Sequence, residues 1–191
     1  MSNVVFIIAT PNQSSRLIGV TQYIEKQLQA QGITLTTINV ASLPADDLIG
    51  TRFDSPAIVA ANALVEAADA VVIASPVYKA SFSGILKTYL DLLPQKGLVN
   101  KIVAPVFIGG TIAHLLSIDY SLKPVLSSLG ARLFVSAIYA TDSQVTRSGQ
   151  GDELSFSLND ELAERLDNAI QELFTELKLR AAAPAQAATN L

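Results

Sequence analysis

Five short apolar runs rich in β-branched residues recur along the chain, and segments of helical periodicity separate them. The runs are NVVFIIA (Asn3–Ala9), TLTTINV (Thr34–Val40), DAVVIAS (Asp69–Ser75), KIVAPVFI (Lys101–Ile108) and RLFVSAI (Arg132–Ile138). Helical patterns over Leu17–Gln31, Pro56–Ala68, Ser83–Leu93, Ile112–Leu129 and Leu158–Arg180 fill the intervals. Strands spaced by helices build βαβ units, so the sheet they form is parallel. Local signals mark helix ends. Ser55-Pro56 joins a capping serine to a proline at the first helical position. Gly32 supplies a left-handed stop. Leu158, Leu162, Leu166, Ile170, Leu173 and Leu177 recur every three or four residues and form one stripe to pack on the sheet.

Five such units with right-handed crossovers predict an α/β chain of flavodoxin-like fold. This is a three-layer sandwich whose five-stranded parallel sheet has the order 2-1-3-4-5, with helices on both faces. The order reverses between strands one and three. The loops leaving their carboxyl ends therefore line one crevice, where open α/β sheets bind ligands. A chain of 191 residues is read as one domain, residues 1–180, followed by a low-complexity tail, AAAPAQAATNL (181–191), expected to be disordered. The polar, glycine-containing segment Gln144–Phe156 reads as a mobile loop.

Composition removes several classes of function. No apolar run approaches the roughly 20 residues of a membrane span. The amino terminus, MSNVVFIIATP, lacks a basic flank and reads as a buried strand rather than a secretory signal. The expected setting is a soluble, cytoplasmic protein. The absence of cysteine excludes disulfides, iron–sulfur clusters and thiolate metal sites, and one histidine excludes a multi-histidine metal centre. A net charge of −4 argues against general nucleic-acid binding.

Three loops carry the candidate chemistry. After the first strand, Thr10-Pro11-Asn12-Gln13-Ser14-Ser15-Arg16 places hydroxyls and a guanidinium at a helix amino terminus. That combination suits the terminal phosphate of a mononucleotide. The alternative is that Ser14 or Ser15 only caps the helix. After the third strand, SPVYKASFSGILKTYLDLLP (Ser75–Pro94) offers backbone amides, the Tyr78 ring and the Lys79 cation. These suit a flat, polar heteroaromatic such as a flavin. After the fourth strand, Gly109-Gly110-Thr111 lets backbone approach a ligand closely, or merely makes a tight turn. No GxGxxG follows a strand, and Gly149-Gln150-Gly151 is a fragment without that context. His114 is left outside the chemistry. Asp119 and Tyr120 precede Pro124 in a helix that the proline must kink or unwind.

On these residues the chain resembles the NADPH-dependent FMN reductase family, and within it the flavin reductases that serve bacterial alkanesulfonate monooxygenases. The resemblance rests on TRFDSPA (Thr51–Ala57), SPVYKASFSGILKTYLDLLP (Ser75–Pro94), GGTIAHLLSIDYSLKPVLSSLGA (Gly109–Ala131) and TDSQV (Thr141–Val145). It implies an enzyme that uses NADPH or NADH to reduce FMN and passes the product to an FMNH2-dependent monooxygenase. It implies a phosphate loop of Thr10, Asn12, Ser15, Arg16 and Leu17. Pro76, Val77, Tyr78 and Lys79 would meet the isoalloxazine, with Gly110 and Thr111 in the third loop. Family members often carry arginine at the place of Asn12 and a hydroxyl at that of Leu17, so weaker phosphate contact and loose FMN binding are expected. Tyr120 matches a tyrosine inserted in the fourth helix, which the resemblance associates with a π-helix, flavin as a passing substrate and a tetramer built as a dimer of dimers. No side chain is expected to act as general acid or base, because hydride transfer belongs to the cofactors. The alternatives are an FMN-bound quinone or azo reductase and a flavodoxin-type electron carrier.

Overall fold

The computed structural model describes residues 2–182. The elements run, in order, β1 (Asn3–Ile8), α1 (Arg16–Ala30), β2 (Thr34–Asn39), α2 (Ala45–Ile49), α3 (Pro56–Glu66), β3 (Ala70–Tyr78), β4 (Ser81–Phe82) and α4 (Gly84–Leu90). There follow β5 (Ile102–Gly109), a π-helical turn (Ile118–Leu122), α5 (Lys123–Ser128), β6 (Leu133–Phe134), β7 (Ile138–Thr141), β8 (Val145–Ser148), β9 (Ser155–Leu158) and α6 (Asp160–Ala182). The parallel core of the sheet is β2-β1-β3-β5, with β6 and β7 both pairing along the free edge of β5. This is the expected 2-1-3-4-5 arrangement with its fifth position filled by two short strands.

The sheet is covered on both faces, which explains why its strands read as unbroken apolar runs. Along β1, Val5 and Ile7 join a core with Ile58 of α3, Leu86 of α4 and Leu126 of α5. Val4 and Phe6 point the other way, to Val20 and Ile24 of α1 and to Leu166 and Ile170 of α6. Alternation along a strand thus sorts two cores from one segment.

Four expectations need correction. The fifth strand does not run unbroken over Arg132–Ile138. Val135 donates to the Val103 carbonyl at 3.0 Å, but the Ser136 amide donates instead to Glu172 Oε2 of α6 at 2.9 Å. A side chain has taken a ladder position, and pairing resumes only at Ile138. The helix expected over Ile112–Leu129 divides into a 3-10 turn (Ile112–His114), the π turn and α5. The segment read as a mobile loop contains an antiparallel hairpin, β8–β9, and Leu158 ends that hairpin instead of starting the last helix. Finally, α6 continues through Ala182, two residues beyond the expected helix end at Arg180. The remainder of the tail expected to be disordered, from residue 183, lies outside the described residues.

The hairpin also accounts for a glycine inside α1. A Cβ at the buried Gly19 would meet the side chain of Phe156 on β9, so the small residue gives β9 its seat on α1.

Candidate functional site

At the carboxyl end of the sheet, the loops after β1, β3 and β5 line a cleft of about 230 Å³, to which β8 of the hairpin contributes Arg147. Asn12 organises the first loop, its Oδ1 accepting from the Ser14 amide and hydroxyl, both at 2.8 Å. This is an Asx-type turn, in which a side chain replaces a backbone acceptor. Ser15 caps α1 and accepts from the Leu17 amide at 3.3 Å, so the capping reading of this serine is met even though it also lines the cleft. Arg16 donates through Nε to the Val145 carbonyl at 2.8 Å.

The second loop is a tight hairpin between β3 and β4. Val77 pairs with Phe82 and Tyr78 with Ser81, leaving Lys79 and Ala80 as its two central residues. Both have positive φ, 51° and 62°. This is the geometry of a type I′ connection, which favours asparagine and glycine. Two side-chain-bearing residues here store strain of about 1 kcal/mol or more each. Buried hydroxyls hold the loop in place. Ser75 Oγ accepts from the Ser83 amide at 2.8 Å, while Ser83 Oγ donates to the Ala9 carbonyl at 2.7 Å and caps α4. The ends of β1 and β3 are thereby tied together beneath the cleft.

The third loop owes its glycine to Tyr139 of β7. A Cβ at Gly109 would fall on the Tyr139 hydroxyl, which donates to the Thr111 carbonyl at 2.8 Å. Burial, and secondarily the Asp142 carboxylate, push the Tyr139 hydroxyl above its ordinary pKa, so it remains a donor at neutral pH. Asp142 follows β7, in a turn where the Gln144 side chain accepts from the Thr141 amide at 3.0 Å.

Asn12, Ser15, Arg16, Pro76, Val77, Tyr78 and Gly110 all line this cleft. The other expected site residues sit elsewhere. Thr10 is fully buried under the first loop, and its hydroxyl donates to the Asn12 carbonyl at 3.2 Å. Leu17 is fully buried in the core between α1 and the sheet and does not line the cleft. Lys79 occupies the hairpin tip, and Thr111 caps the 3-10 turn, its Oγ1 accepting from the Ala113 amide at 3.2 Å. Tyr120, 79% exposed, does not line the cleft. Three lining residues escaped the sequence reading of the site, Ile108, Asp142 and Arg147. Asp142 sits in the TDSQV motif, but Arg147 carried no signal beyond being a cation in a polar segment.

A larger groove of about 570 Å³ lies between α3 and the Leu93–Lys101 segment. Of its two lysines, Lys96 and Lys101, the second is committed to structure, with Nζ donating to the Glu66 and Ala68 carbonyls at 2.9 and 2.7 Å. That is a helix end being satisfied, and none of the three loops reaches it. No cluster of three or more potential metal ligands is present among the described residues.

A switch-point cleft with arginines and serines at one end, an aromatic ring at the rim and bare glycine backbone alongside defines a flavodoxin-like flavin-binding α/β protein. The family model for NADPH-dependent FMN reductase matches residues 2–146. An FMN reductase (NADPH) of Pseudomonas putida is 43% identical over 93% of this chain and 89% of its own length. Its counterpart from Escherichia coli is 37% identical over 93% of this chain and 91% of its own. The crystal structure of the apo form of the NADH:FMN oxidoreductase EMOB superposes with a TM-score of 0.81 at 28% identity, covering 99% of this chain and 94% of that one. The chain belongs to the NADPH-dependent FMN reductase family, and its reaction is NAD(P)H-dependent reduction of FMN.

The residues present fit FMN. The donor set of two guanidiniums and the Ser15 hydroxyl beside the α1 amino terminus suits a phosphate. Gly110, where a Cβ would meet only Asp142 Oδ2, leaves backbone open toward the cleft.

Proposed function

We propose that this FMN reductase treats flavin as a passing substrate and delivers reduced FMN to a separate FMNH2-dependent monooxygenase of the alkanesulfonate type. The observation that carries this reading is the π turn at Ile118–Leu122, on the segment that continues from the Gly110-Thr111 loop. π turns are rare and concentrate at functional sites, because one extra residue re-aims the side chains around it. Here the turn presents Tyr120 to solvent beside Ile112, Leu115 and Leu116, all exposed. Such an apolar surface next to a substrate cleft fits the packing of a second copy. The reading is a tetramer, a dimer of dimers, in which Tyr120 meets flavin only across a subunit boundary. It also places the protein in the cytoplasm, where reduced nicotinamide cofactors are held.

Hydride transfer from nicotinamide to flavin is the chemistry the cofactors supply. The chain's part is orientation. Asn12, Ser15 and Arg16 hold the phosphate end, with Thr10 and the Leu17 backbone supporting that loop from beneath. Pro76, Val77 and Tyr78 line the place of the flavin ring, with Lys79 at its rim, and Gly110 and Thr111 offer backbone on the far side. No residue serves as general acid or base.

The test is NADPH oxidation by flavin-stripped protein as FMN is titrated, with flavin retention followed on a desalting column. A rate that saturates with FMN, from protein that desalts colourless, supports the proposal. Yellow protein whose turnover ignores added FMN would make flavin a prosthetic group and favour quinone or azo reduction.

A further inference from the structure

The β8–β9 hairpin delivers to the cleft a cation that the loop after β1 does not contain. Arg147 lies on β8, paired with Phe156 of β9, and Phe156 rests on Gly19 of α1. The hairpin is thus seated on the helix whose amino terminus borders the cleft. From this seat, Arg147 Nη1 donates to the Ser14 carbonyl at 3.1 Å and lies 3.4 Å from Ser14 Oγ. Arg16 reaches the opposite way, to the carbonyl of Val145, the first residue of β8. The loop's arginine holds the hairpin and the hairpin's arginine holds the loop.

Charge separates this arrangement from ordinary loop packing. Among the described residues neither Arg16 nor Arg147 takes part in an ion pair, and Asp142, in the same cleft, reaches neither. The chain is acidic overall, yet two guanidiniums line this cleft with neither paired to a carboxylate, beside a helix amino terminus that is itself electropositive. A guanidinium carries five N–H donors, so one or two anchoring bonds leave the others free for a ligand. A dianionic phosphate monoester matches both the charge and the donors.

We infer that Arg147 is a phosphate ligand of the FMN site, and that the β8–β9 hairpin clamps the flavin phosphate against the start of α1. The ligand chemistry is a phosphate monoester, which in this reaction exists both as the FMN 5′-phosphate and as the NADPH 2′-phosphate. Adjacency to Ser14 and Ser15, in one cleft with Tyr78, favours FMN. The inference rests on this cleft being the flavin site. It makes FMN affinity depend on a segment outside the three loops that leave the sheet.

The experiment compares wild type, Arg147→Gln and Arg147→Lys with FMN and with riboflavin, using NADPH and NADH in turn, and with inorganic phosphate as a competitor of FMN. Arg147→Gln should raise the KM for FMN about tenfold relative to that for riboflavin, the size of one charge-assisted hydrogen bond. It should weaken phosphate inhibition in parallel, and Arg147→Lys should recover part of both. Glutamine keeps a donor near Ser14, so a role confined to loop positioning predicts equal effects on the two flavins, and that result would overturn the inference. A rise in KM for NADPH over NADH with FMN unaffected would also overturn it, by moving the contact to the 2′-phosphate. Wild type that uses riboflavin as well as FMN would instead sink the cleft as a phosphate site.

Discussion

The segments that leave β3 and β5 border the same cleft from the same end of the sheet, yet they are held in opposite ways. From Ser75 to Leu90 the chain closes on itself. Ser75 and Ser83 exchange buried hydrogen bonds, Ser83 reaches across to the Ala9 carbonyl, and a hairpin fixes the tip. From Gly109 to Ser128 the chain leaves much unfinished. It passes through 3-10, π and α geometry in turn, leaves Ser117 Oγ buried without a partner, and exposes Ile112, Leu115, Leu116 and Tyr120. The first segment is tied to the sheet by hydrogen bonds within the chain, although Tyr89 Oη is buried without a partner, whereas the second exposes a run of apolar side chains. On the reading proposed above, ligand placement and assembly fall to different walls of one site.

The largest expected effect breaks the second wall. Leu116→Asp puts a charge into the surface we assign to a second copy, and should disfavour association by more than about 3 kcal/mol. Sedimentation should show a smaller particle with an unchanged circular dichroism spectrum. A wild type that is already monomeric would sink the assignment. On the first wall, Ser83→Ala removes both the α4 cap and the donor to Ala9. A loss of about 2 kcal/mol in denaturant unfolding is expected, together with a raised KM for FMN. A change under about 0.5 kcal/mol would mean the tie between β1 and β3 is dispensable.

Tyr139→Phe tests how the third loop is positioned and should cost about 1 kcal/mol. Its pH dependence has a definite sign. The folded pKa is raised by burial and by Asp142, so the unfolded chain gives up this proton first. The contribution is therefore complete below the unfolded value near 10 and is lost as pH rises from there toward the folded value. The stability gap between wild type and variant should narrow above about pH 10, and a gap that widens would contradict the assignment. The smallest effect is a gain. Ala80→Gly relieves a positive φ at the β3–β4 tip and should stabilise the protein by about 0.5–1 kcal/mol, read from the midpoint of thermal unfolding.

How much was legible in advance differs between these walls for the same reason. Pro56 was readable as a helix start because the first-turn tolerance of proline is a local property, whereas Ser55, read as the cap, makes no capping hydrogen bond and its hydroxyl donates to Asp47 instead. Gly32 was readable as a stop, and its φ of 77° is the left-handed value a stop requires. Leu17 was drawn into the phosphate site by family resemblance. Its spacing to Val20, Ile24 and Leu28 puts it on the buried face of α1, and burial prevails. Arg147 was missed because β8 and β9 are four residues each, too short for alternation to stand out. Gly149 and Gly151, which resembled a broken nucleotide motif, have positive φ in the connection between those strands.

The sequence by itself determined the class of fold, the strand order and the two loops that open at the switch point. Those follow from hydrophobic periodicity and the handedness of crossovers, which every residue of a long element helps to specify. Only the tertiary structure decided that strand five is interrupted by Glu172, that the fourth helix carries a π turn, and that Arg147 stands opposite Arg16. Glu172 and Arg147 each meet a backbone group far away in the chain, and such a meeting leaves no period in the sequence to read; the π turn was expected only through resemblance.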